Sequence, residues 1–340
     1  MKVLSFGEML LRLKPPATDR ILQTNSFDAA FGGAEANTAA SLALLGNDVT
    51  YVTKLPANLI GDAALSSLRR HGVKTEQIIR GGERLGLYFF EKGASIRSTN
   101  VVYDRKYSAF SQAKAAEFNW QELLKDVDVF YFSGVTPAAS DELKQTLIEA
   151  CSYCRDNDIE VVCDLNYRGK MWSPEEAQAY MKKVMEYVTV CLAHDEDFEA
   201  ALGISPFDPN EPIGLNQKEA YKQGMKEVTE RYPNCHTVVS VVRNIYSVED
   251  SEWGALLYKN GEFYEADAYK VHVMEGVAAG DAFGAGYVHA MLHQYEPQEA
   301  LEFSLAASVL KVTIAGDTNF VYEDEIRSVM DGAAGAKLKR

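Results

Sequence analysis

The sequence predicts an α/β fold, a three-layer α/β/α sandwich with a mostly parallel central sheet and a small antiparallel β lid. Short, continuous apolar segments alternate with amphipathic segments along most of the chain, and this alternation is typical of parallel strands buried between helices. Gly46 and Gly72 stand where two of the helices would end in a left-handed turn. Residues 8–32 and 84–112 break the alternation, and their strand-like runs indicate antiparallel lid strands inserted between βα units.

Each element follows from a local pattern. Six apolar segments are predicted to be buried strands: Lys2–Phe6, Val49–Val52, Val127–Phe132, Ile159–Cys163, Thr189–Leu192 and Thr237–Val242. Five amphipathic segments are predicted to be helices: Ala34–Leu45, Asp62–His71, Asp141–Asn157, Pro174–Tyr187 and Lys218–Arg231. Further strands are expected at Gly86–Glu91 and Thr99–Tyr103 and, as a strand pair, within Glu262–Val273, followed by helices at about Ala279–His293 and Pro297–Val312. Because no repeat or linker interrupts the chain, we expect a single domain over residues 1–340, ending in a frayed tail with Lys337, Lys339 and Arg340.

Composition excludes several classes of partner. The chain has 34 Lys and Arg residues against 49 Asp and Glu residues, a net charge of −15, so nucleic acid and anionic membranes are poor partners. Its 5 cysteines are odd in number and irregularly spaced, which argues against a disulfide framework. No apolar stretch approaches the roughly 18 residues of a membrane span, and the N-terminus lacks a signal-peptide pattern. We therefore expect a cytoplasmic protein.

The strongest chemical signal is the segment Ala278–Gly286, in which small residues open a predicted helix. Free backbone N–H groups at such a helix start bind anions closely, and the helix dipole adds positive potential. Taken alone, Asp281 could be an ordinary acidic residue in a first helical turn. Beside an anion-binding turn, however, its carboxylate is placed to deprotonate a hydroxyl that attacks a phosphoryl group.

A second signal is the segment Phe31–Ala40, where Gly32 and Gly33 precede a helix of small residues and Asn37 projects one turn into it. Packing explains the alanines well, but it explains the two glycines and the asparagine together less well. The spacing matches neither the GxGxxG pattern nor the GxxxxGK[ST] pattern, so a dinucleotide-binding fold and a P-loop are both disfavoured.

These two motifs, in this order and near opposite ends of the chain, resemble the ribokinase-like (PfkB-type) carbohydrate kinase family. The resemblance covers nearly the whole chain, and the segments Gly86–Glu91, Tyr103–Arg105 and Asn166–Trp172 are most similar to those of 2-keto-3-deoxygluconate kinases. It implies a ribokinase-like fold and ATP-dependent phosphorylation of a sugar acid at its terminal hydroxyl, with Mg²⁺. It also implies a homodimer formed through the lid, and it leaves open whether a monovalent cation assists.

The resemblance assigns roles to individual positions. Asp281 would be the general base, Ala279 and Gly280 would contribute to the anion hole, and Arg168 would lie between sugar and phosphate. The sugar-binding residues implied are Gly33, Asn37, Tyr88, Tyr103, Arg105, Arg168, Asp281 and Asp317. The ATP-binding residues implied are Asn166, Arg168, His194, Ser240, Arg243, Ala278, Ala279 and Gly280. Asp197 would act on the metal through water.

The charge of the substrate is also suggested by Arg105 itself. An arginine suits bidentate binding of a carboxylate, and one on a lid strand would act only when the lid closes. The alternative is a solvated charge that protects an edge strand from aggregation. Both interpretations are compatible with the sequence.

Two departures from the family pattern keep one alternative open, and a third feature weakens another. Ala278 stands where the family normally has glycine, which is costly if its φ angle is positive. The family's glycine-rich nucleotide loop is replaced by the longer, polar segment Arg243–Gly254. These two features motivate the alternative of a non-catalytic sugar-binding relative. Residues Glu8 to Arg12 lack an aspartate that many fructokinases and ribokinases carry, which weakens the alternative of a neutral-sugar kinase.

Overall fold

A computed structural model describes residues 1–332; the predicted tail at Lys337, Lys339 and Arg340 lies outside them, and the single domain over residues 1–340 stays a prediction. The strands are β1 (Lys2–Phe6), β2 (Leu10–Lys14), β3 (Asp28–Gly32), β4 (Asp48–Val52), β5 (Lys54–Leu55), β6 (Ile79–Arg80), β7 (Gly86–Glu91), β8 (Asn100–Asp104), β9 (Val129–Ser133), β10 (Glu160–Asp164), β11 (Val190–Leu192), β12 (Thr237–Ile245), β13 (Asp250–Lys259) and β14 (Glu262–His272). The helices are α1 (Ala34–Leu44), α2 (Leu59–Arg70), α3 (Trp120–Leu123), α4 (Val135–Ala138), α5 (Asp141–Asp156), α6 (Pro174–Val184), α7 (Asp195–Leu202), α8 (Lys218–Arg231), α9 (Ala279–Leu292), α10 (Pro297–Lys311) and α11 (Glu323–Met330).

The main sheet has eight strands in the order β14-β13-β12-β11-β10-β9-β1-β4. The strands from β12 to β4 all pair in parallel, whereas β13 and β14 add an antiparallel edge. The parallel strands are apolar on both faces and buried throughout most of their length, as expected for a sheet that helices cover on both sides. The predicted α/β fold with a mostly parallel sheet is confirmed.

Helices cover the two faces of this sheet. One face packs against α1, α9 and α10, and its apolar cluster includes Phe283 and Phe303. The other face packs against α5, α6, α7 and α8, with Leu147 and Phe198 among its buried residues. None of the helices within residues 1–332 is long and apolar enough to cross a membrane, and all five cysteines are buried and unpaired.

A separate four-stranded sheet, in the order β3-β2-β7-β8, forms the lid. The pairs β2–β3 and β7–β8 are antiparallel, as predicted, but β2 and β7 pair in parallel, with Leu10 opposite Gly86. The parallel pair arises because each insertion forms its own hairpin and the two hairpins join through their first strands. The underside of the lid packs Leu10, Tyr88 and Phe90 against Val277.

Several elements differ from the sequence prediction, and two of the differences have a clear structural cause. Residues 262–272 form one continuous strand instead of a strand pair, and its partner β13 was not predicted. The segment Arg243–Gly254 therefore belongs to a hairpin between β12 and β13, in which Arg243 lies opposite Trp253. In addition, α2 begins at Leu59 rather than at residue 62, because the Asn58 side chain caps it by accepting two backbone N–H groups at 3.1 Å.

Candidate active site

A cleft of about 390 Å³ lies under the lid, at the carboxyl ends of the parallel strands. This is the edge at which α/β sheets bind their ligands. The sequence-predicted site residues that line the cleft are Gly33, Asn37, Tyr88, Tyr103, Arg105, Asn166, Arg168, His194, Asp197, Arg243, Ala278, Ala279, Gly280, Asp281 and Asp317. Ser240 does not line it: the residue is fully buried, and its hydroxyl donates to the Ala193 carbonyl, so the structure argues against its predicted contact with ATP.

The residues Gly276–Asp281, which we call the anion turn, lead into α9 at the edge of the cleft. No side chain caps the first N–H groups of α9, and these groups have no partner inside the helix. Ala278 adopts φ 62°, in the left-handed region, so the alanine that replaces the family's glycine is strained by about 1 kcal/mol or more. A side chain at Gly280 would lie 3.4 Å from His194 Nε2, which shows that the turn faces that histidine.

Asp281 lies in the first turn of α9 and is almost completely buried. Its Oδ2 accepts a hydrogen bond of 2.7 Å from Asn37 Nδ2, so the two sequence motifs meet at this carboxyl group. Burial raises the pKa of Asp281 to about 7, although the Asn37 hydrogen bond and the charge of Arg168 oppose the shift. A carboxyl group that titrates near neutral pH is suited to accept a proton during catalysis.

Two predicted sugar-binding residues are paired with each other. The Tyr88 hydroxyl donates to Asp317 Oδ1, and Asp317 Oδ2 lies 3.0 Å from Arg12 Nε on the lid strand β2. Arg12 also pairs with Glu275, which directly precedes the anion turn. This buried network joins the lid, the anion turn and the segment after α10.

Arg105 is held by a residue that the sequence analysis missed as a site residue. Glu8 Oε2 accepts hydrogen bonds from Arg105 Nε, at 2.8 Å, and from Arg105 Nη2, and the Ser108 hydroxyl donates to the other oxygen. Arg105 Nη1 lies 3.4 Å from Met171 Sδ. Glu8 follows β1 at the carboxyl edge of the sheet and is buried, and this position was the available signal for it. The alternative of a solvated edge-strand charge for Arg105 is wrong, since only 11% of its side chain is exposed.

On the opposite side of the cleft, Asp164 ends β10 with one oxygen unsatisfied. Its Oδ1 is buried without a hydrogen-bond partner, and so is His194 Nδ1; His194 Nε2 lies 4.0 Å from that Asp164 oxygen. Burial raises the pKa of Asp164 and lowers the pKa of His194, because both charged forms are disfavoured away from water. Asp164, like Glu8, was not among the predicted site residues.

The predicted metal residue Asp197 is engaged elsewhere. Its Oδ1 accepts the backbone N–H of Tyr167 and its Oδ2 accepts that of His194, each at 2.8 Å, so both oxygens hold the chain at the start of α7. No cluster of three His, Cys, Asp or Glu side chains within residues 1–332 is arranged to hold a metal ion. The unpartnered oxygen of Asp164 fits Mg²⁺ better, since this ion is commonly held by one carboxylate together with substrate phosphates.

Two arginines face the same side of the cleft as Asp164. Arg168 is exposed and donates from Nη1 to the carbonyl of Tyr167 at 2.9 Å. Arg243 lies with its guanidinium carbon 5.5 Å from the centre of the Trp253 ring, and its Nη2 is 3.9 Å from Asp195 Oδ1. Both arginines line the cleft together with Asp164, Asp195 and Asp197, so they bring positive charge to an otherwise acidic region, and a guanidinium group is suited to binding an anion.

Comparisons with known proteins agree on the class. The model of the pfkB family carbohydrate kinases matches residues 1–324. The chain is 30% identical over 331 residues to a 2-dehydro-3-deoxygalactonokinase of Haloferax volcanii, covering 97% of each chain. It is also similar to the crystal structure of a 2-dehydro-3-deoxygluconokinase from Thermotoga maritima, with 44% identity, a TM-score of 0.93, and 98% of this chain and 100% of that chain covered. A ribokinase-type structure from E. coli, solved with ATP and Mg²⁺, shares the fold at 19% identity, with a TM-score of 0.79 and coverage of 97% and 99%.

The fold and the cleft are thus those of a sugar kinase, a phosphotransferase that acts on an alcohol group. The chain belongs to the pfkB family of carbohydrate kinases. The ribokinase-like fold implied by the sequence is confirmed, and the roles of individual residues stay predictions.

Proposed function

We propose that this protein is an ATP-dependent sugar-acid kinase that phosphorylates 2-keto-3-deoxygluconate at its terminal hydroxyl, with Asp281 as the general base. One observation carries the proposal. The Asp281 carboxyl group lies in the first turn of α9, the helix whose free N–H groups line the cleft. Burial raises the pKa of this carboxyl group to about 7. A proton acceptor and an anion site on the same turn are what phosphoryl transfer to a hydroxyl needs.

The geometry suggests the following division of work. The sugar hydroxyl would lie against Asp281, which would take its proton as the oxygen attacks the γ-phosphorus of ATP. The bond from that phosphorus to the β,γ-bridging oxygen breaks, and ADP leaves. The N–H groups of Ala279, Gly280 and Asp281 stabilise the negative charge on the transferring group, and Arg168 adds positive charge from the other side. Asp164 would hold Mg²⁺, which supplies charge neutralisation on the phosphates when bound. Asn166, His194 and Arg243 line the side of the cleft on which ATP would bind.

The substrate class depends on Arg105. A sugar-acid carboxylate would bind its guanidinium beside Tyr88 and Tyr103, and the names of the two 2-dehydro-3-deoxy-sugar-acid kinases that the chain resembles support this choice. The Glu8 carboxylate already pairs with Arg105, which reduces the positive charge available to a substrate. That observation favours the second candidate, a neutral-sugar kinase of the fructokinase or ribokinase type.

A substrate panel tests the proposal directly. The protein is incubated with ATP, Mg²⁺ and, separately, 2-keto-3-deoxygluconate, 2-keto-3-deoxygalactonate, fructose, ribose and tagatose, and ADP release is coupled to NADH oxidation. We expect turnover of the ketodeoxy acids. Turnover of fructose or ribose but of neither acid would assign the neutral-sugar activity, and no turnover with binding of a sugar alone would assign the non-catalytic alternative.

The Arg105→Ala variant tests the assignment of the carboxylate. Loss of one charge-assisted contact is expected to lower kcat/KM for the sugar acid by about 10–100-fold, from about 1.5–3 kcal/mol, and to affect a neutral analogue much less. Glu8→Gln is the matched control, because it keeps the guanidinium and removes its partner's charge. Equal losses on the acid and on its neutral analogue would contradict the assignment.

We also propose that the protein is a cytoplasmic homodimer that associates through the outer face of the lid. The lid and its flanks expose large apolar side chains, with Phe27 38%, Val102 54% and Tyr107 71% exposed, and an exposed sheet of this kind is normally covered. Light scattering on a size-exclusion column is expected to give twice the monomer mass. Val102→Lys is expected to shift the population to monomer, and a monomeric wild-type protein would contradict the proposal.

A further inference from the structure

A buried lysine lies behind the anion turn. Lys311 is the last residue of α10 and is 0% exposed. Its Nζ donates to the carbonyl oxygen of Ile314 at 2.9 Å. An ammonium group away from water is costly unless other groups compensate its charge. The mechanism described above uses no side chain at this position, so the lysine needs another explanation.

The segment that contains Lys311 holds the anion turn and the residues before it. The Ser308 hydroxyl donates to the carbonyl of Ala279 at 2.9 Å. The carbonyl of Val312 accepts the N–H groups of Met274 and Glu275 at 2.7 and 3.1 Å. The Gly316 N–H donates to Glu275 Oε1 at 3.1 Å. Residues 308–316 therefore frame the turn at both ends, and the ammonium of Lys311 closes the loop at their centre.

The charges around Lys311 come from several elements. Glu275, Asp317 and Asp281 attract its ammonium, whereas Arg12 repels it. Lys14 on β2 reaches Glu275 Oε2 at 3.1 Å from the lid side. Burial lowers the pKa of Lys311 to about 8, a shift that the carboxylates limit, so the group carries its positive charge at neutral pH.

We propose that the Lys311 ammonium is a resident monovalent cation that positions the anion turn, so that phosphoryl transfer needs no bound K⁺. The inference rests on the kinase function proposed above. An ammonium and K⁺ carry the same charge, and carbonyl and carboxylate oxygens hold both. Lys311 is thus a positioning residue that acts through residues 312–316 on Glu275 and through Ser308, on its own helix, on Ala279. It also adds positive potential near the anion turn in a protein of net charge −15.

The wild-type protein provides the first test. Its kinase activity is measured at constant ionic strength in KCl, NaCl, NH₄Cl and tetramethylammonium chloride. We expect rates that agree within about twofold across the four salts. An activation of more than about fivefold by K⁺ over tetramethylammonium would overturn the proposal, because an external cation would then be required.

Two variants provide the second test. Lys311→Ala leaves room for a small cation, whereas Lys311→Met fills the space without a charge. In tetramethylammonium chloride, both are expected to lose at least tenfold in kcat/KM for ATP. In Lys311→Ala, NH₄⁺ or K⁺ is expected to raise kcat/KM at least threefold above its value in tetramethylammonium chloride. In Lys311→Met, neither cation is expected to raise it. Lys14→Met, which removes another cation from Glu275, is expected to show no dependence on the cation.

A loss that no cation restores in Lys311→Ala would assign Lys311 a merely structural role and overturn the proposal, as would full activity of both variants. Thermal unfolding midpoints establish that the variants are folded. ATP binding followed by calorimetry in the four salts gives the same comparison without turnover. If the wild-type protein phosphorylates no sugar, the kinase proposal fails, and the binding data still decide the role of Lys311.

Discussion

The two sides of the cleft differ in how completely their polar groups are paired. On the sugar side, where we propose that the sugar binds, Asn37 is bonded to Asp281 at 2.7 Å, Arg105 to Glu8 at 2.8 Å, and Tyr88 to Asp317. On the nucleotide side, where we propose that ATP binds, Asp164 Oδ1 and His194 Nδ1 are buried without partners. The sugar side also has two buried atoms without a hydrogen bond, Asp317 Oδ2 and Arg12 Nε, but these two form an ion pair at 3.0 Å. The sugar side is thus fixed by the protein itself, whereas the nucleotide side keeps unsatisfied atoms.

This difference indicates which ligand completes the site. A buried polar atom without a partner costs roughly 1–3 kcal/mol, and such atoms in a native structure point to a missing ligand or to a functional role. ATP and Mg²⁺ together carry hydrogen-bonding groups and positive charge that could serve as partners for the unpaired atoms of Asp164 and His194. The nucleotide side is therefore expected to gain more order and stability from its ligand than the sugar side does.

The largest effect is expected at the one carboxyl group that both sides share. Asp281→Asn removes the proton acceptor and is expected to lower kcat by about 10²–10⁴-fold, with the KM for the sugar changed by no more than a few-fold. Steady-state kinetics measure both constants. Asp141→Asn, an exposed acidic residue in the first turn of another helix, is the matched control and is expected to keep full activity. A kcat within tenfold of wild type in Asp281→Asn would remove Asp281 from the mechanism.

The second prediction contrasts two aspartates on the nucleotide side. Asp164→Asn is expected to raise the Mg²⁺ concentration needed for half-maximal rate by about 10–100-fold, the range seen when groups around a metal are lost. Asp197→Asn is expected to leave the Mg²⁺ dependence unchanged and to lower stability by about 1 kcal/mol, because it weakens the start of α7. Rates against Mg²⁺ concentration and urea unfolding distinguish the two. If only Asp197→Asn raises the Mg²⁺ concentration needed for half-maximal rate, Asp197 is the metal residue, as the sequence predicts.

The third prediction concerns pH. Because burial raises the pKa of Asp281 to about 7, its carboxyl group becomes protonated as the pH falls below 7 and can no longer accept a proton. The value of kcat/KM is therefore expected to fall about tenfold per pH unit between pH 6 and pH 5. Asn37→Ala removes a hydrogen bond that favours the carboxylate, so its acidic limb is expected at higher pH. A profile that is flat from pH 8 to pH 5 would contradict Asp281 as the base.

The smallest effect is expected from the strained backbone of the nucleotide side. Ala278→Gly relieves a left-handed alanine and is expected to stabilise the protein by about 0.5–1 kcal/mol. Ala279→Gly, one residue further on and helical, is the matched control and is expected to destabilise by about 0.5–1 kcal/mol. Urea unfolding measures both. If both substitutions change the free energy of unfolding in the same direction, the φ angle of Ala278 does not explain the effect of Ala278→Gly.

Local pattern in the sequence predicted most of the fold. The prediction for α8 agrees at both ends, that for α1 differs by one residue, and that for β7 agrees fully. The hairpin of β12 and β13 was not predicted, because its turn, Tyr246–Glu249, lies in a polar segment that replaces the family's glycine-rich loop. The start of α2 differs from the prediction because the Asn58 side chain caps the helix, which therefore begins three residues before the amphipathic pattern does.

The candidate site was predictable where its chemistry lies within one motif. The motifs around Asn37 and Asp281 each carry a local signal, and the structure brings them to 2.7 Å. The pair Glu8 and Arg105 is 97 residues apart in the chain, and no local pattern indicates that one neutralises the other. Asp197 accepts backbone N–H groups at the start of α7, and Asp164 Oδ1 has no hydrogen-bond partner. Both facts depend on the precise packing of neighbouring strands, which a single sequence does not specify.

The parallel pairing of β2 with β7 has a consequence for the order of folding. The lid is made from two hairpins that leave the chain at separate points, and Leu10 meets Gly86 only across a long intervening segment. Closing such a loop costs chain entropy before any contact compensates it. We therefore expect the lid to assemble only after β1 and β4 have joined the central sheet and brought the two hairpins together, so that it is among the last parts of the molecule to acquire its structure.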